Sequence, residues 1–532
     1  MLDPATRTAI EAALNRRDMV AAVSLADAAL AKGVRDPLLF NLIAWRAEEA
    51  GDFAAAHRAL AEAMALAPND ATIAAAAGRA LRREGRTAAA LAMLDRASAL
   101  DPGFAVPWLE RGFALDTAGD AAGALASFER AAALDPKMGP AWAGAAAAAA
   151  RLGQPVAALA ARALALDPHD ATATMALARS LISSDAASAI DRLRALLGRR
   201  TLGTEDRIAA LTLLGDAFDR ADATNDAFAA YASAKSLFAQ HHAPRFAAQG
   251  EPPQRDFIDG IAAAVEEVDP ALWRVRVAPP DPRGHVFLLG YPRSGTTLVE
   301  NILATAAGVD ALEERQTLID ADRAFLLDDG GIARLAASDT TAAEDFRDRY
   351  WQRVADAGVN PGGEVFVDMD PLKGIKLPLI AKLFPDARVV VLRRDPRDVV
   401  WSCFRQNFRV SAAAYAFTTL AGAAEHYAAL MRLTALCLDR LPLTTHELRY
   451  EDLIADFDAA TRALCAFAGI GWSPEFRRFD RTAARRGVST ASAGQVNRPL
   501  YDGTGQWRRY ADQLAPVMPI VAPWIERFGY AA

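Results

Sequence analysis

Two patterns of apolar and polar positions divide the chain. Beyond Gly284, short apolar runs such as HVFLLG and ARVVVL alternate with helical stretches such as LVENIL, in which Leu298, Val299, Ile302 and Leu303 share a face. Strands alternating with helices predict an α/β domain with a parallel sheet. Before about residue 240 that alternation is missing. Alanine-rich helical stretches run there instead, broken at regular intervals by glycine and proline.

The breaks have a period. LAPND, LDPGF, LDPKM and LDPHD place prolines at 68, 102, 136 and 168, and AGDFAAA, EGRTAAA, AGDAAGA and LGQPVAA place glycines at 51, 85, 119 and 153. Glycines stepping by 34 at one turn, and prolines stepping by 34, 34 and 32 at the other, resemble the tetratricopeptide repeat. Each unit is then two helices, the first ended by glycine and the second stopped by Asp-Pro. Four units are clear, with a degenerate one before Asp36 and one or two beyond Leu181. Ala54, Ala88 and Ala122 are expected to let paired helices approach closely, and Trp108 and Trp142 to pack between the helices of their own units. Such arrays bind extended polypeptides on a concave face, or serve only to stabilise or self-associate. The organisation expected is an α-solenoid over 1–240, a linker over 241–282 with one short helix between Phe257 and Val268, and an α/β P-loop-like domain over 283–532.

Bulk properties narrow the partners. With 532 residues and a net charge of −7, the chain carries no general attraction for nucleic acid or anionic membranes. No stretch reads as a signal peptide or membrane span, because arginine and glycine interrupt segments such as AWAGAAAAAARLG. Cys403, Cys437 and Cys465 form no disulfide framework, and no Cys/His spacing reads as a zinc site. A cytoplasmic protein is expected.

The chemistry concentrates in VFLLGYPRSGTTLVENIL, Val286 to Leu303. A strand, a glycine-containing turn and a helix make an anion site from backbone N–H groups, to which Ser294, Thr296 and Thr297 add hydroxyls. Against the triphosphatase loop G-x-x-x-x-G-K-[ST], Gly290 and Gly295 are in place, but Thr296 stands where the lysine belongs and Arg293 lies inside the turn. A second segment, DARVVVLRRDPRDVVWSCFRQNF, carries six arginines and two aspartates between Arg388 and Arg409. It offers no metal-holding aspartate at its strand end. Arginine grips phosphate directly. Two anion sites on adjacent strands, without a magnesium ligand set, imply a nucleotide with separated anionic groups.

Together GYPRSGTT and VVVLRRDPRDVVWS resemble the 5′-phosphosulfate loop and the 3′-phosphate segment of the sulfotransferase family, over roughly the last 250 residues. The donor implied is 3′-phosphoadenosine 5′-phosphosulfate, with no metal. Arg293 is closest to the protein-tyrosine sulfotransferase branch. The resemblance assigns Arg293, Ser294, Gly295, Thr296 and Thr297 to the phosphosulfate, Arg394 and Ser402 to the 3′-phosphate, and Tyr450 of LRYEDL to the nucleotide. In STASAGQVNRP it places Ser489 near the sulfonate and Arg498 at the phosphate end, and Trp507 matches a tryptophan after that loop. It names the second glutamate of a Glu-Glu pair as base, which is Glu314 of LEERQ, twenty-one residues after Arg293. Attack by a phenol of pKa about 10 calls for such a base, although an acidic first helical turn is the ordinary role of such a residue.

One departure stands out. FVDMDPLKGIK places Met369 where the family has a lysine that stabilises the leaving group. Either Lys373 or Lys376 reaches back, or the activity is weaker, or it is directed at another substrate. His285, His426 and Cys403 are expected to be structural. The C-terminal arginines, including Arg485 and Arg486, form a solvated face, some of them attracting acidic residues beside an acceptor tyrosine. The expected activity is transfer of a sulfonate to an acceptor hydroxyl, preferably a protein tyrosine, with the repeats presenting the polypeptide and Glu314, Arg293 and Ser489 doing the chemistry. The alternatives are a carbohydrate or small-molecule acceptor, and a non-catalytic nucleotide-binding scaffold.

Overall fold

Aspartates start most of the helices of the repeat array. Asp18, Asp36, Asp52, Asp70, Asp120 and Asp170 each accept a hydrogen bond from a backbone N–H of the turn that follows. The sequence reading used aspartate only as part of a stop. The computed structural model describes residues 2–249, 254–274, 284–362, 364–486, 488, 496 and 499–531, with the backbone alone described at 247–249 and 274. Twelve helices run from Pro4 to Leu197, and the first ten form five successive pairs. Gly85, Gly119 and Gly153 cap first helices with left-handed φ of 89°, 86° and 67°.

Close approach within a pair depends on residues other than those expected. Ala54, Ala88 and Ala122 are exposed, whereas Ala56, Ala90 and Ala124, two residues further on, are fully buried. On the facing helix a Cβ at Gly78 would lie 2.6 Å from Leu94, and one at Gly112 would lie 2.5 Å from Phe128. Trp108 does pack on Ala131 and Ala132 of its own pair, while the Trp142 indole donates back to the Pro136 carbonyl at 3.0 Å.

The chain separates into two compact units, Met1–Leu196 and Leu197–Ala532. This boundary lies well before the one expected near residue 240. Helices Thr204–Arg220 and Thr224–Gln249 form another repeat-like pair: a Cβ at Gly215 would lie 2.5 Å from Tyr231, sixteen positions on, the spacing of Gly112 and Phe128. Yet their outer face belongs to the second unit. The Phe228 ring stacks on Phe404 at 5.5 Å, Tyr231 meets Trp401 edge-on at 5.9 Å, and Lys235 Nζ donates to the Gln406 carbonyl at 2.6 Å. The helix expected in the linker, Gln254–Glu267, buries Ile258, Ile261 and Val265 and packs along helix Leu420–Arg440. It is part of the second unit's core.

That unit is built on five parallel strands, β1 (Gly284–Leu289), β2 (Val309–Glu313), β3 (Val365–Met369), β4 (Arg388–Arg393) and β5 (Thr444–Arg449), in the order β2-β3-β1-β4-β5. Side chains alternate across the sheet. Val286, Leu288, Val367, Met369, Val390 and Leu392 face helix Thr296–Leu303, and His285, Phe287 and Phe366 face the aromatic cluster of Tyr350, Trp351 and Phe384. No helix among the described residues is long and apolar enough to cross a membrane.

The two kinds of glycine predict opposite responses to alanine. Helical Gly112→Ala drives a methyl into Phe128 and lowers the stability of the repeat unit by about 1–3 kcal/mol. Gly260→Ala, with nothing within 4 Å of the new Cβ, raises that of the second unit by up to about 1 kcal/mol. Chemical denaturation followed by circular dichroism measures both.

Candidate active site

The turn after β1 runs against two neighbours and has room for no side chain at either glycine. A Cβ at Gly290 would lie 2.6 Å from the Leu392 carbonyl, and one at Gly295 would lie 2.9 Å from the Tyr450 ring. Gly295 has φ 108°, and Arg293 itself takes φ 71°, a left-handed conformation that costs a non-glycine residue about 1–2 kcal/mol. Ser294 closes the turn: its N–H donates to the Tyr291 carbonyl at 3.0 Å and its hydroxyl accepts from the Tyr291 N–H at 3.3 Å. Thr296 and Thr297, both buried, open helix Thr296–Leu303.

Arg293 is 8 % exposed and lies between two clefts. Its Nε donates to Ser402 Oγ at 3.1 Å. Burial draws its pKa down to about 10, against the Cys403 thiol and with Arg405 and Arg394, which leaves it charged at neutral pH. The first cleft is shared with Arg394 and walled by Leu298, Tyr450, Phe479, Leu500 and Tyr501. The Arg394 guanidinium donates to the carbonyls of Arg293 at 3.0 Å and Gly503 at 2.5 Å and lies 4.6 Å from the centre of the Tyr450 ring. Its buried Nε has no partner. Aromatic walls beside a guanidinium with a donor to spare favour an anionic group carried next to a flat ring.

The second cleft also borders the loop and is lined by Thr296, Thr297, Glu314, Asp370 and Arg409. Glu314 leaves the end of β2 in a left-handed turn, φ 44°, with its N–H donating to the Met369 carbonyl at 2.7 Å. Glu314 is an exposed residue whose carboxylate is partly enclosed by the cleft walls. That enclosure, with Asp370, Glu313 and Glu300 nearby, pushes its pKa up to about 8, while Arg409 pulls the other way. A carboxylate so tuned can accept a proton near neutrality. The loop arginine and the predicted base thus face one cleft. Asp370 and Arg409 were missed; the only sequence signal for Asp370 was its place in DMDPLKG.

The other singled-out residues fall in varied places. Met369 is fully buried under helix Thr296–Leu303 and offers no cation. Lys373 does not reach back: it lies on the opposite face of the sheet, fully buried and paired with Asp368, whose other oxygen accepts from Thr317 and Tyr350, each at 2.9 Å. Lys376 pairs with Asp322 at 2.6 Å. The surplus of arginine after β4 is mostly scaffolding, since Arg388 donates to the Ala468 carbonyl, Arg393 pairs with Glu447, and Arg397 with Asp395. Arg486, expected on a solvated face, donates to Glu300, Asn301 and the Ala311 carbonyl. Ser402 stands against Arg293, on the helix that follows Arg394. Trp507 is a support: its N–H donates to Asp398 and its ring lies 3.9 Å from the Arg397 guanidinium. His285 and His426 are buried hydrogen-bonding partners of Tyr350 and Tyr291. Cys403 is buried with its thiol pushed up to about 12. Ser489 and Arg498 lie outside the described residues.

Comparison with known families supplies the decisive observation. Residues 285–474 match the profile of the sulfotransferase family, and residues 47–107 that of the tetratricopeptide repeat. The second unit carries a sulfotransferase-family domain. An uncharacterized protein of Aquifex aeolicus is 28 % identical over 271 residues, which are 45 % of this chain and 33 % of that protein, so the chain spans about a third of the length of this curated relative. A thermophilic tetratricopeptide repeat protein of Thermus thermophilus is 18 % identical over 34 % of this chain and 98 % of its own, with a TM-score of 0.29. The APC/C hetero-tetramer Cut9–Hcn1 gives 16 % identity over 41 % of this chain and 43 % of that one, with a TM-score of 0.35.

The sulfotransferase-family domain rests on its buried ion pair. Lys373→Met strands the Asp368 carboxylate in the core and lowers the unfolding free energy of the second unit by about 3–5 kcal/mol. Guanidinium denaturation measures it, and an unchanged midpoint would show that Asp368 does not depend on this lysine.

Proposed function

We propose that the protein transfers a sulfonate from 3′-phosphoadenosine 5′-phosphosulfate to an acceptor hydroxyl, a protein tyrosine for preference. The observation that carries this reading is that Arg293 and Glu314 line one cleft. The loop amides with Ser294, Thr296, Thr297 and Arg293 hold the phosphosulfate. Arg394 and Ser402 hold the 3′-phosphate, Tyr450 flanks the nucleotide, and Arg498 closes the phosphate end. Glu314 takes the acceptor's proton as its oxygen attacks sulfur and the bond from sulfur to the bridging phosphate oxygen breaks. Arg293 and Ser489 stabilise the charge that grows on the sulfonate and the departing phosphate. The preference for tyrosine rests on the register of Glu313 and Glu314 after Arg293, and on a repeat array of the kind that presents polypeptides. The activity belongs in the cytoplasm on this reading, in keeping with three free, buried cysteines.

A second reading, a nucleotide-binding scaffold without turnover, is favoured by one observation. Met369 is apolar and buried, and both nearby lysines are committed elsewhere. Radiolabelled donor with a tyrosine-peptide library, alongside saccharide and small phenol acceptors, separates the readings. Transfer to peptides supports the first, transfer only to the others moves the acceptor class, and donor binding without transfer supports the scaffold.

Three outcomes are expected of the enzyme. Glu314→Gln lowers turnover by about 10²–10⁴-fold with affinity for 3′,5′-adenosine bisphosphate within about twofold of wild type. Because Glu314 acts ionised, wild-type turnover climbs with pH through about 8 and then levels. Arg394→Ala weakens the bisphosphate, measured by calorimetry, by at least about tenfold.

A further inference from the structure

Glu205, His241 and His242 converge where the first turn of helix Thr204–Arg220 meets the later turns of helix Thr224–Gln249. The Glu205 Oε1 atom lies 3.4 Å from His241 Nε2 and 3.2 Å from His242 Nε2. These separations are long for charge-assisted hydrogen bonds, which close to about 2.7–2.9 Å. Both separations from Glu205 match an edge of a tetrahedron around zinc, since bonds of about 2.1 Å at the tetrahedral angle put neighbouring ligand atoms about 3.4 Å apart. The two imidazole rings lie 4.7 Å apart, and all three ligand atoms fall within 4.8 Å of one another. His242 supplies the independent sign. Its Nε2 is buried, makes no aligned hydrogen bond and points at Glu205, while the Phe238 ring holds the imidazole edge-on at 4.5 Å.

We propose that Glu205, His241 and His242 form a site for a divalent transition ion of the zinc class. Two imidazoles with one carboxylate favour such an ion over calcium or magnesium, which take oxygen ligands. Three protein ligands leave a position for water. The ion clamps the far end of helix Thr224–Gln249 to its partner. That helix backs a wall of the Glu314 cleft: Phe238 packs in one cluster with Ile208 and Ala414, and the Phe246 ring lies 4.5 Å from Tyr415. The site stands whether or not the sulfonate transfer does.

The test uses the full chain, stripped with a chelator and titrated with Zn²⁺ against a chromophoric indicator, and separately with Co²⁺ followed by visible absorption. One equivalent bound, with the strong bands of tetrahedral Co²⁺, is expected. The His241→Ala/His242→Ala double variant should bind at least about tenfold more weakly, and saturating Zn²⁺ should raise the melting temperature of wild type alone. Glu205→Gln changes only an exposed carboxylate, keeps the fold, and should also weaken Zn²⁺ at least about tenfold. Absence of stoichiometric binding by wild type would reduce the cluster to a glutamate shared by two imidazoles. Unchanged affinity in either variant would place the ion elsewhere; both results overturn the proposal.

Discussion

The guanidinium of Arg394 joins three segments that would otherwise be free to part. One N–H reaches the carbonyl of Arg293 in the turn after β1, another the carbonyl of Gly503 near the C-terminus, and its face rests on Tyr450 at the end of β5. Asp398, four residues on, gathers the same C-terminal stretch by accepting from the N–H groups of Gly505 and Trp507. The loop, the strand end and the closing segment are therefore organised around one charge. Each bond uses a donor that a bound anion would also compete for, so the geometry of the first cleft and its capacity to bind are the same set of contacts.

The sheet keeps two electrostatic environments apart. On one face the loop helix lies over apolar residues from β1, β3 and β4, and its buried Glu300 is held by Arg486 beside β2. On the other face Asp368 and Lys373 form a closed network with Thr317, Tyr350 and His285, in which both carboxylate oxygens are used. Alternation along β3 decides the outcome: Asp368 points to the network, Met369 to the loop helix. A lysine that belongs to the network cannot also serve the loop.

The periodic features were legible. Glycine and proline spacing revealed the repeats, and the apolar runs revealed the parallel α/β domain, because both follow from local chain geometry. The loop was legible from its glycine spacing, although the contacts that demand those glycines, at Leu392 and Tyr450, were not. What escaped were partnerships made across distance. Nothing local distinguishes Arg394, which faces a cleft, from Arg393, which pairs with Glu447, or tells that Lys373 is consumed by Asp368. The unit boundary escaped likewise, since the helices from Thr204 to Gln249 keep the repeat pattern inside while Phe228, Tyr231 and Lys235 bind them into the second unit.

The backbone of Arg293 holds a tension of its own. At φ 71° a glycine would sit at ease there, and the chain keeps instead a long cation that the conformation disfavours. Relaxing that torsion and retaining the charge are incompatible at this residue. Glycine at this position would ease the turn and take away a positively charged side chain that borders both clefts.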